Sequence, residues 1–329
     1  MTVAKLVPVL EAATAGGYGV LAVNIVNGLT LRAVVDAAEE LRAPVIVQTS
    51  VKTVLSQGIP ETMSMYRHAA ERATVPVVLH LDHCTDRNVL LDCLKAGWGS
   101  VLFDCSGRTL EEATEQTKQV VREARSFGAD VEGEIEGITG VEDGVGSDDK
   151  SELYPLDDAV RFIRETGIDC FAPAIGNAHG DYPQLPNLDV DRVDSLVDAT
   201  GLPMALHGGS GLSDDQFRDL ISRGCAKVNI STALKQAYID AHRDFLAENP
   251  DCHEPLTLMA FVSSRVSMVA QGLIKVFGSE GRVAWGRSSS IATAYSQKLN
   301  ATDTGRPSTE CSPRRVSTSS GLKTTTPRC

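Results

Sequence analysis

Short apolar, β-branched runs alternate along this chain with longer segments whose apolar positions recur every three or four residues. The short runs, 20–24, 45–49, 77–81, 100–103, 130–135, 170–175, 203–207 and 226–230, have the length and composition of buried strands. Segments 29–41, 110–126, 156–165, 214–223 and 232–248 carry the helical period, and a further helix is expected over 255–277. Eight strand–helix units in roughly 230–250 residues predict a (β/α)8 TIM barrel, an α/β fold, with an extra C-terminal helix. A doubly wound open sheet would want a glycine-rich turn after an early strand, and the turn after Asn24 holds only Gly28.

Punctuation residues support this register. Ser213-Asp214-Asp215-Gln216 has the form of a capping box. Gly224 suits a left-handed stop before the last strand. Pro44, Pro76 and Pro203 each precede a strand, where a missing N–H does no harm. Between the fifth strand and the next helix, 136–153 reads as a long glycine-rich, acidic loop without regular structure, the kind of insert that serves as a lid or binding loop. After Trp285 the composition changes. Residues 286–329 hold 17 Ser/Thr and seven Lys/Arg against two Asp/Glu, so the chain divides into a barrel domain, 1–285, and a tail, 286–329, expected to be disordered.

The formal charge of −12 over 329 residues argues against nucleic acid as a partner. No run of 18 apolar residues predicts a membrane span, and no charged-then-apolar leader is read at the N-terminus. The eight cysteines include no Cys-x-x-Cys pair and several sit inside apolar runs, which fits a reducing, cytoplasmic compartment.

Three of the seven histidines close strand-like runs: His83, His179 and His207. The C-terminal strand ends are where barrel sites form, and three imidazoles plus an open position suit zinc. Asp82, beside His83, is the candidate for proton transfer. Glu132, Glu134 and Glu136 alternate on the fifth strand, and three carboxylates on one inner face imply a metal or a basic partner. Glu134, with Asp104 after the fourth strand, is the candidate for a second metal contact. Gly208-Gly209-Ser210-Gly211 follows His207, and Asn229-Ile230-Ser231-Thr232 opens the last barrel helix. Loops after strands seven and eight are the usual phosphate site of this fold.

Six blocks, in order, carry a resemblance: Leu79-His80-Leu81-Asp82-His83, Glu132-Gly133-Glu134, Gly140-Val141-Glu142-Asp143-Gly144, Ala174-Ile175-Gly176-Asn177-Ala178-His179-Gly180, Leu206-His207-Gly208-Gly209-Ser210-Gly211 and Lys227-Val228-Asn229-Ile230-Ser231-Thr232. Over about residues 5–283 the chain resembles the class II, zinc-dependent ketose-bisphosphate aldolases, which include fructose- and tagatose-bisphosphate aldolases. The resemblance implies that His83, His179 and His207 ligate a catalytic Zn2+, and that Asp104 and Glu134 serve a second Zn2+ site. It implies that Asp82 exchanges the proton on the carbon 4 hydroxyl and Glu142 the proton at carbon 3. Gly180, Gly208, Gly209, Ser210, Asn229, Ile230, Ser231 and Thr232 would hold dihydroxyacetone phosphate, with a monovalent cation, Na+ or K+, nearby. It further implies a homodimer or homotetramer acting on a phosphorylated sugar in carbohydrate metabolism such as glycolysis.

Three departures bear on the substrate. Ser50-Val51-Lys52-Thr53 stands where fructose-bisphosphate members often have Ser-Thr-Gly-Gly, so Ser50 matches and the glycines do not. Ser231 replaces an Asp or Asn, and Glu136 replaces a Gly. Fructose 1,6-bisphosphate is the expected substrate, ahead of tagatose bisphosphate and a phosphorylated deoxy-ketogluconate. Two further readings are a Schiff-base aldolase using Lys227 and a non-catalytic sugar-phosphate binder. A metal-dependent hydrolase of the amidohydrolase type would want a His-x-His pair on the first strand, which ends in Asn24 instead.

Overall fold

A computed structural model describes residues 3–138, 140–142, 145–147, 153–178, 180 and 186–283. Among them the chain order is α1 (Leu6–Gly16), β1 (Val20–Asn24), α2 (Gly28–Glu40), β2 (Val45–Ser50), α3 (Val51–Gln57), α4 (Ile59–Arg72), β3 (Val77–Cys84), α5 (Arg87–Ala96), β4 (Ser100–Asp104) and α6 (Leu110–Ser126). There follow β5 (Asp130–Glu134), β6 (Gly140–Glu142), β7 (Val145–Ser147), α7 (Leu156–Thr166), β8 (Cys170–Phe171), α8 (Val190–Thr200), β9 (Met204–Leu206), α9 (Asp214–Ser222), β10 (Cys225–Ile230), α10 (Thr232–Glu248) and α11 (Pro255–Val276). Eight parallel strands close in the order β1-β10-β9-β8-β5-β4-β3-β2, the (β/α)8 barrel that the sequence pattern predicts.

The tail, 286–329, lies outside the described residues, so the division at 285 stays an expectation from composition. The expected structureless insert contains an antiparallel ribbon, β6 on β7, with Gly140 opposite Ser147. Three-residue strands are too short to show a two-residue period, which is why the pattern missed them. The sixth and seventh barrel strands are shorter than their apolar runs, because Pro173 and the glycines after His207 withdraw the backbone from the ladder.

Strand parity sets two cores. Side chains facing the helices form the larger cluster, with Leu21, Val47, Leu79, Val101, Val131 and Phe171 among its strand members. Side chains facing the barrel axis form a smaller apolar layer, including Val20, Ala22, Ile46, Val78 and Cys170, which Leu6, Val9, Leu10 and Ala13 of α1 close from below. The lid helix is tied on by Ala4 N–H donating to Val77 O at 3.0 Å and Val7 N–H donating to Asp130 Oδ2 at 3.1 Å. Above that layer the axis-facing positions turn polar: Gln48, His80, Asp82, Glu132, Glu134, Lys227 and Asn229 are all buried. The barrel is therefore apolar at its N-terminal end and charged at its C-terminal end.

The expected capping box forms: Ser213 and Gln216 cap α9 reciprocally. The structure adds another, Thr109 with Glu112 on α6. Gly224 takes φ +115, which an L side chain rarely adopts. α11 is long and apolar enough, by length and composition, to cross a membrane. Its buried stripe, Val262, Val266, Ala270 and Ile274, recurs every four residues and belongs to the barrel's outer core, the pattern of a packed surface helix.

Candidate metal centre and active site

Asp82 and His83 are neighbours, and neighbours on a regular strand face opposite sides. β3 resolves this with a break. Its register against β4 shifts between Leu81 and Cys84, and His83 takes φ +38, in the left-handed region. The kink brings both side chains to the C-terminal end of the barrel, where His207 follows β9. Asp82, His83 and His207 each offer a ligand atom within 4.8 Å of the others.

His83 Nε2 lies 2.9 Å from His207 Nδ1, and the two rings stand at 86° with centroids 4.7 Å apart. That edge-on arrangement brings one ring nitrogen of each histidine together, where a metal could join them once His83 gives up its proton. The other nitrogen of each ring is held by a carboxylate. His207 Nε2–H donates to Glu132 Oε1 at 2.7 Å, and His83 Nδ1 lies 3.3 Å from Asp104 Oδ2 and 3.8 Å from Glu134 Oε2. Carboxylates behind imidazoles fix ring orientation and tautomer for metal binding. His83, Asp104 and Glu134 form a second group with ligand atoms within 4.8 Å, and Glu134 Oε2 is a buried oxygen with no hydrogen-bond partner. Buried imidazoles and carboxylates in this number and spacing fit a zinc ion.

The electrostatics follow from crowding. Burial opposes a charge on His83, but the surrounding carboxylates of Asp82, Glu134 and Asp104 overcome it and raise its pKa well above 6.5. Burial, and then repulsion from Asp104, push Glu134 well above the usual carboxylate range. Against its burial, Asp104 is lowered to about 2 by the His83 contact and by bonds from Ser106. Burial, then Lys227, hold His80 well below 6.5, so it is neutral. The raised pKa favours the protonated form of His83 in the metal-free protein, and that proton sits among groups that a metal would join. Its contribution to metal-free stability is complete below pH 6.5 and is lost as pH rises through the raised value. Zinc needs a neutral imidazole, so loading at pH 7 is expected to expel about one proton per ion, with affinity rising as pH rises. Titrating zinc into chelated, dialysed protein in weakly buffered indicator dye measures this; a dye signal that stays flat contradicts it.

Asp82 is held by amides. Asn24 Nδ2 donates to Oδ2 at 2.8 Å and Asn229 Nδ2 to Oδ1 at 3.3 Å. Gln48 Nε2 in turn donates to Asn24 Oδ1 at 2.8 Å. Each carboxylate oxygen keeps a lone pair for a proton.

The glycine loop and the start of α10 meet beside this cluster. Gly208 has φ +62, and a Cβ there would fall 2.2 Å from Ala178 O, so only glycine lets the two loops approach. Asn177 Nδ2 donates to His207 O at 2.9 Å and binds the same loops together. Ala233 N–H in the first turn of α10 donates to Ser210 Oγ at 3.2 Å. Ser231 sits at the N-cap position with a buried hydroxyl that has no hydrogen-bond partner. Asn229 and Ile230 end β10, Thr232 begins α10, Gly209 is in the loop, and Gly180 takes φ +89. Helix-start N–H groups and a spare hydroxyl make a surface suited to an anion.

The class II fructose-bisphosphate aldolase family model matches residues 4–282. This chain belongs to the class II aldolases. Members of that family depend on zinc in general. A sulfofructosephosphate aldolase of Alkalicoccus urumqiensis is 34% identical over 275 residues, 83% of this chain and 96% of the relative. The D-tagatose-1,6-bisphosphate aldolase subunit GatY of Klebsiella oxytoca is 37% identical, covering 81% and 94%. A fructose-bisphosphate aldolase of Geobacillus stearothermophilus is 33% identical, covering 86% and 100%. Among solved structures, the YdjI aldolase of Escherichia coli K12 superposes with a TM-score of 0.74 at 32% identity, over 86% of this chain and all of that one. The chain is therefore an aldolase, a carbon–carbon lyase of carbohydrate metabolism.

Of the residues that the sequence put forward in this aldolase, the structure brings together Asp82, His83, Asp104, Glu134 and His207. His179 lies outside the described residues. Glu142 is the last residue of β6. Ser50 caps α3, accepting from Thr53 N–H at 3.3 Å, and pairs in register with Asp82. Glu136 lies past the end of β5 and leaves the centre: its carboxylate pairs with Arg192 and accepts from Tyr154 N–H at 2.9 Å and Ala174 N–H at 3.2 Å. Sequence reading missed Asn24, Gln48 and Asn177. The first two carry a usable signal, polar side chains at axis-facing positions of strands otherwise wholly buried.

Proposed function

We propose that this aldolase reversibly cleaves a ketose 1,6-bisphosphate, fructose 1,6-bisphosphate first, into dihydroxyacetone phosphate and glyceraldehyde 3-phosphate. The observation that carries this is the approach of His83 Nε2 to His207 Nδ1, 2.9 Å apart, with a ligand atom of Asp82 within 4.8 Å of both residues' ligand atoms. His179 completes the catalytic zinc ligands by resemblance, and Asp104 with Glu134 offers the second zinc position. A bound zinc ion supplies Lewis acidity at the ketone and its neighbouring hydroxyl. Asp82 takes the proton from the carbon 4 hydroxyl as the bond between carbons 3 and 4 breaks, and Asn24 and Asn229 hold its carboxylate toward that hydroxyl. Glu142 returns a proton to carbon 3. The phosphate of the three-carbon ketone rests against Gly180, Gly208, Gly209, Ser210 and Asn229–Thr232, where a Na+ or K+ ion accompanies it. Ser50 and Lys52 face the aldehyde half. A homodimer or homotetramer in the cytoplasm is the working form.

Tagatose 1,6-bisphosphate is the second reading, favoured by the 37% identity to the GatY subunit. The relatives named for fructose, tagatose and sulfofructose substrates share the ketone half and differ beyond carbon 3, the half where Val51, Lys52 and Thr53 depart from the family pattern. A coupled assay measures kcat/KM for fructose 1,6-bisphosphate, tagatose 1,6-bisphosphate and 6-deoxy-6-sulfofructose 1-phosphate. Fructose 1,6-bisphosphate is expected to lead by about tenfold or more, about 1.4 kcal/mol of transition-state binding. A lead for either competitor reassigns the substrate, and turnover of none of them refutes the reading.

A further inference from the structure

We propose that Lys227 is a positioning residue that sets both halves of the site, the metal ligand His207 and the base Asp82, through two arms, an ion pair to Glu132 and a hydrogen bond to Asn229. Lys227 and Glu132 are each completely buried, and Lys227 Nζ lies 2.9 Å from Glu132 Oε2. A buried ion pair gains little or nothing over a packed apolar pair, so stability alone does not account for it. The geometry does.

The first arm runs through Glu132. With Oε2 engaged by the ammonium, Oε1 faces His207 Nε2 at 2.7 Å. An ionised carboxylate only accepts, so it fixes the proton on Nε2 and leaves the Nδ1 lone pair toward His83. The second arm runs through Asn229. Lys227 Nζ donates to Asn229 Oδ1 at 2.7 Å. An ammonium only donates, so it decides which way the amide faces and turns Nδ2 toward Asp82 Oδ1 at 3.3 Å; the same Nδ2 lies 3.1 Å from His207 Nε2, so the two arms meet at that ring. One cation thus selects a tautomer on one side and an amide orientation on the other. The same contacts weigh against the Schiff-base role that its strand position suggested, because they commit the ammonium to Glu132 and Asn229.

The test uses the zinc-loaded enzyme and three variants: Lys227→Met, Glu132→Gln and the two combined. Zinc affinity is read by competition with a chromophoric chelator, stability by melting temperature, and kcat at saturating zinc with the ketose bisphosphate that the parent enzyme cleaves. The kcat arm rests on the function proposed above; the zinc arm does not, so the two can fail separately. Lys227→Met is expected to weaken zinc binding about 10- to 100-fold and to lower kcat at saturating zinc at least about tenfold through the loosened base. Glu132→Gln is expected to weaken zinc binding to a similar degree and to lower kcat at saturating zinc less than Lys227→Met does, since the Lys227–Asn229 hydrogen bond is kept. The double variant buries no net charge; it is expected to regain melting temperature without regaining kcat, and it carries the comparison if Lys227→Met does not fold. Native zinc affinity in Lys227→Met, or recovery of kcat along with melting temperature in the double variant, would overturn the proposal and leave Lys227 a mere counter-charge.

Discussion

Replacing Asp82 with alanine is expected to lower the turnover of aldol cleavage about 10²- to 10⁴-fold while zinc binding weakens far less. The separation follows from what Asp82 touches. Its two oxygens accept from Asn24 and Asn229, and the histidines are oriented from behind by other carboxylates, Glu132 for His207 and Asp104 for His83. Removing Asp82 therefore takes away the proton acceptor and leaves the imidazole arrangement standing. Alanine is a cleaner probe than asparagine, because an asparagine NH2 would face the NH2 of Asn24 or Asn229, donor against donor. Some stability is lost as well, since each amide loses an acceptor at about 1–3 kcal/mol for a buried unsatisfied group. Metal analysis beside steady-state kinetics decides the matter. Full cleavage activity in a folded, zinc-loaded Asp82→Ala enzyme would remove the acid/base assignment, and the reading as a non-catalytic binder predicts that same indifference.

Chelation of the metal is expected to abolish cleavage, by about 10³-fold or more, with activity restored by added zinc. Borohydride added with substrate is expected to leave the chain unmodified. A lysine-based aldolase would give the reverse pair of results: activity that survives chelation, and a reduced covalent adduct. The chelated protein is also expected to melt lower than the zinc-loaded one, because the ion binds the folded state alone. Glu134 keeps an unpartnered buried oxygen and crowds Asp104 when no divalent cation offsets their charge. Activity that persists in metal-free enzyme, verified by elemental analysis, would refute the zinc assignment for this chain.

The legible parts of the site were those on regular strands. Glu132 and Glu134 alternate on β5, and alternation alone predicts a shared inner face that needs a basic or metallic partner. Lys227 then appears beside Glu132, while Glu134 turns to His83. Glu136 obeyed the same arithmetic on paper and not in space. The strand ends at Glu134, and past that point Arg192 of α8 captures the third carboxylate. A period of two holds only while the ladder holds. The position of His83 was legible in part: its place at a strand end was plain, but the φ of +38 that turns its ring beside Asp82 was not, since histidine carries no preference for that conformation strong enough to read.

Hydrophobic periodicity by itself determined the eight strands, the closed barrel they imply and the end of it at which chemistry sits, because burial against water is a local property repeated along the chain. It determined as well which residue types reach that end, including the histidines and the carboxylates. Which nitrogen faces which oxygen was decided only by the assembled barrel. The 2.9 Å approach of His83 to His207 joins residues 124 apart, and the contact of Asn229 with Asp82 joins residues 147 apart. Such contacts depend on the closure of β10 onto β1 and the twist that brings every strand end to one axis. No local pattern encodes a distance across a barrel; it arises when all eight strands satisfy their hydrogen bonds at once.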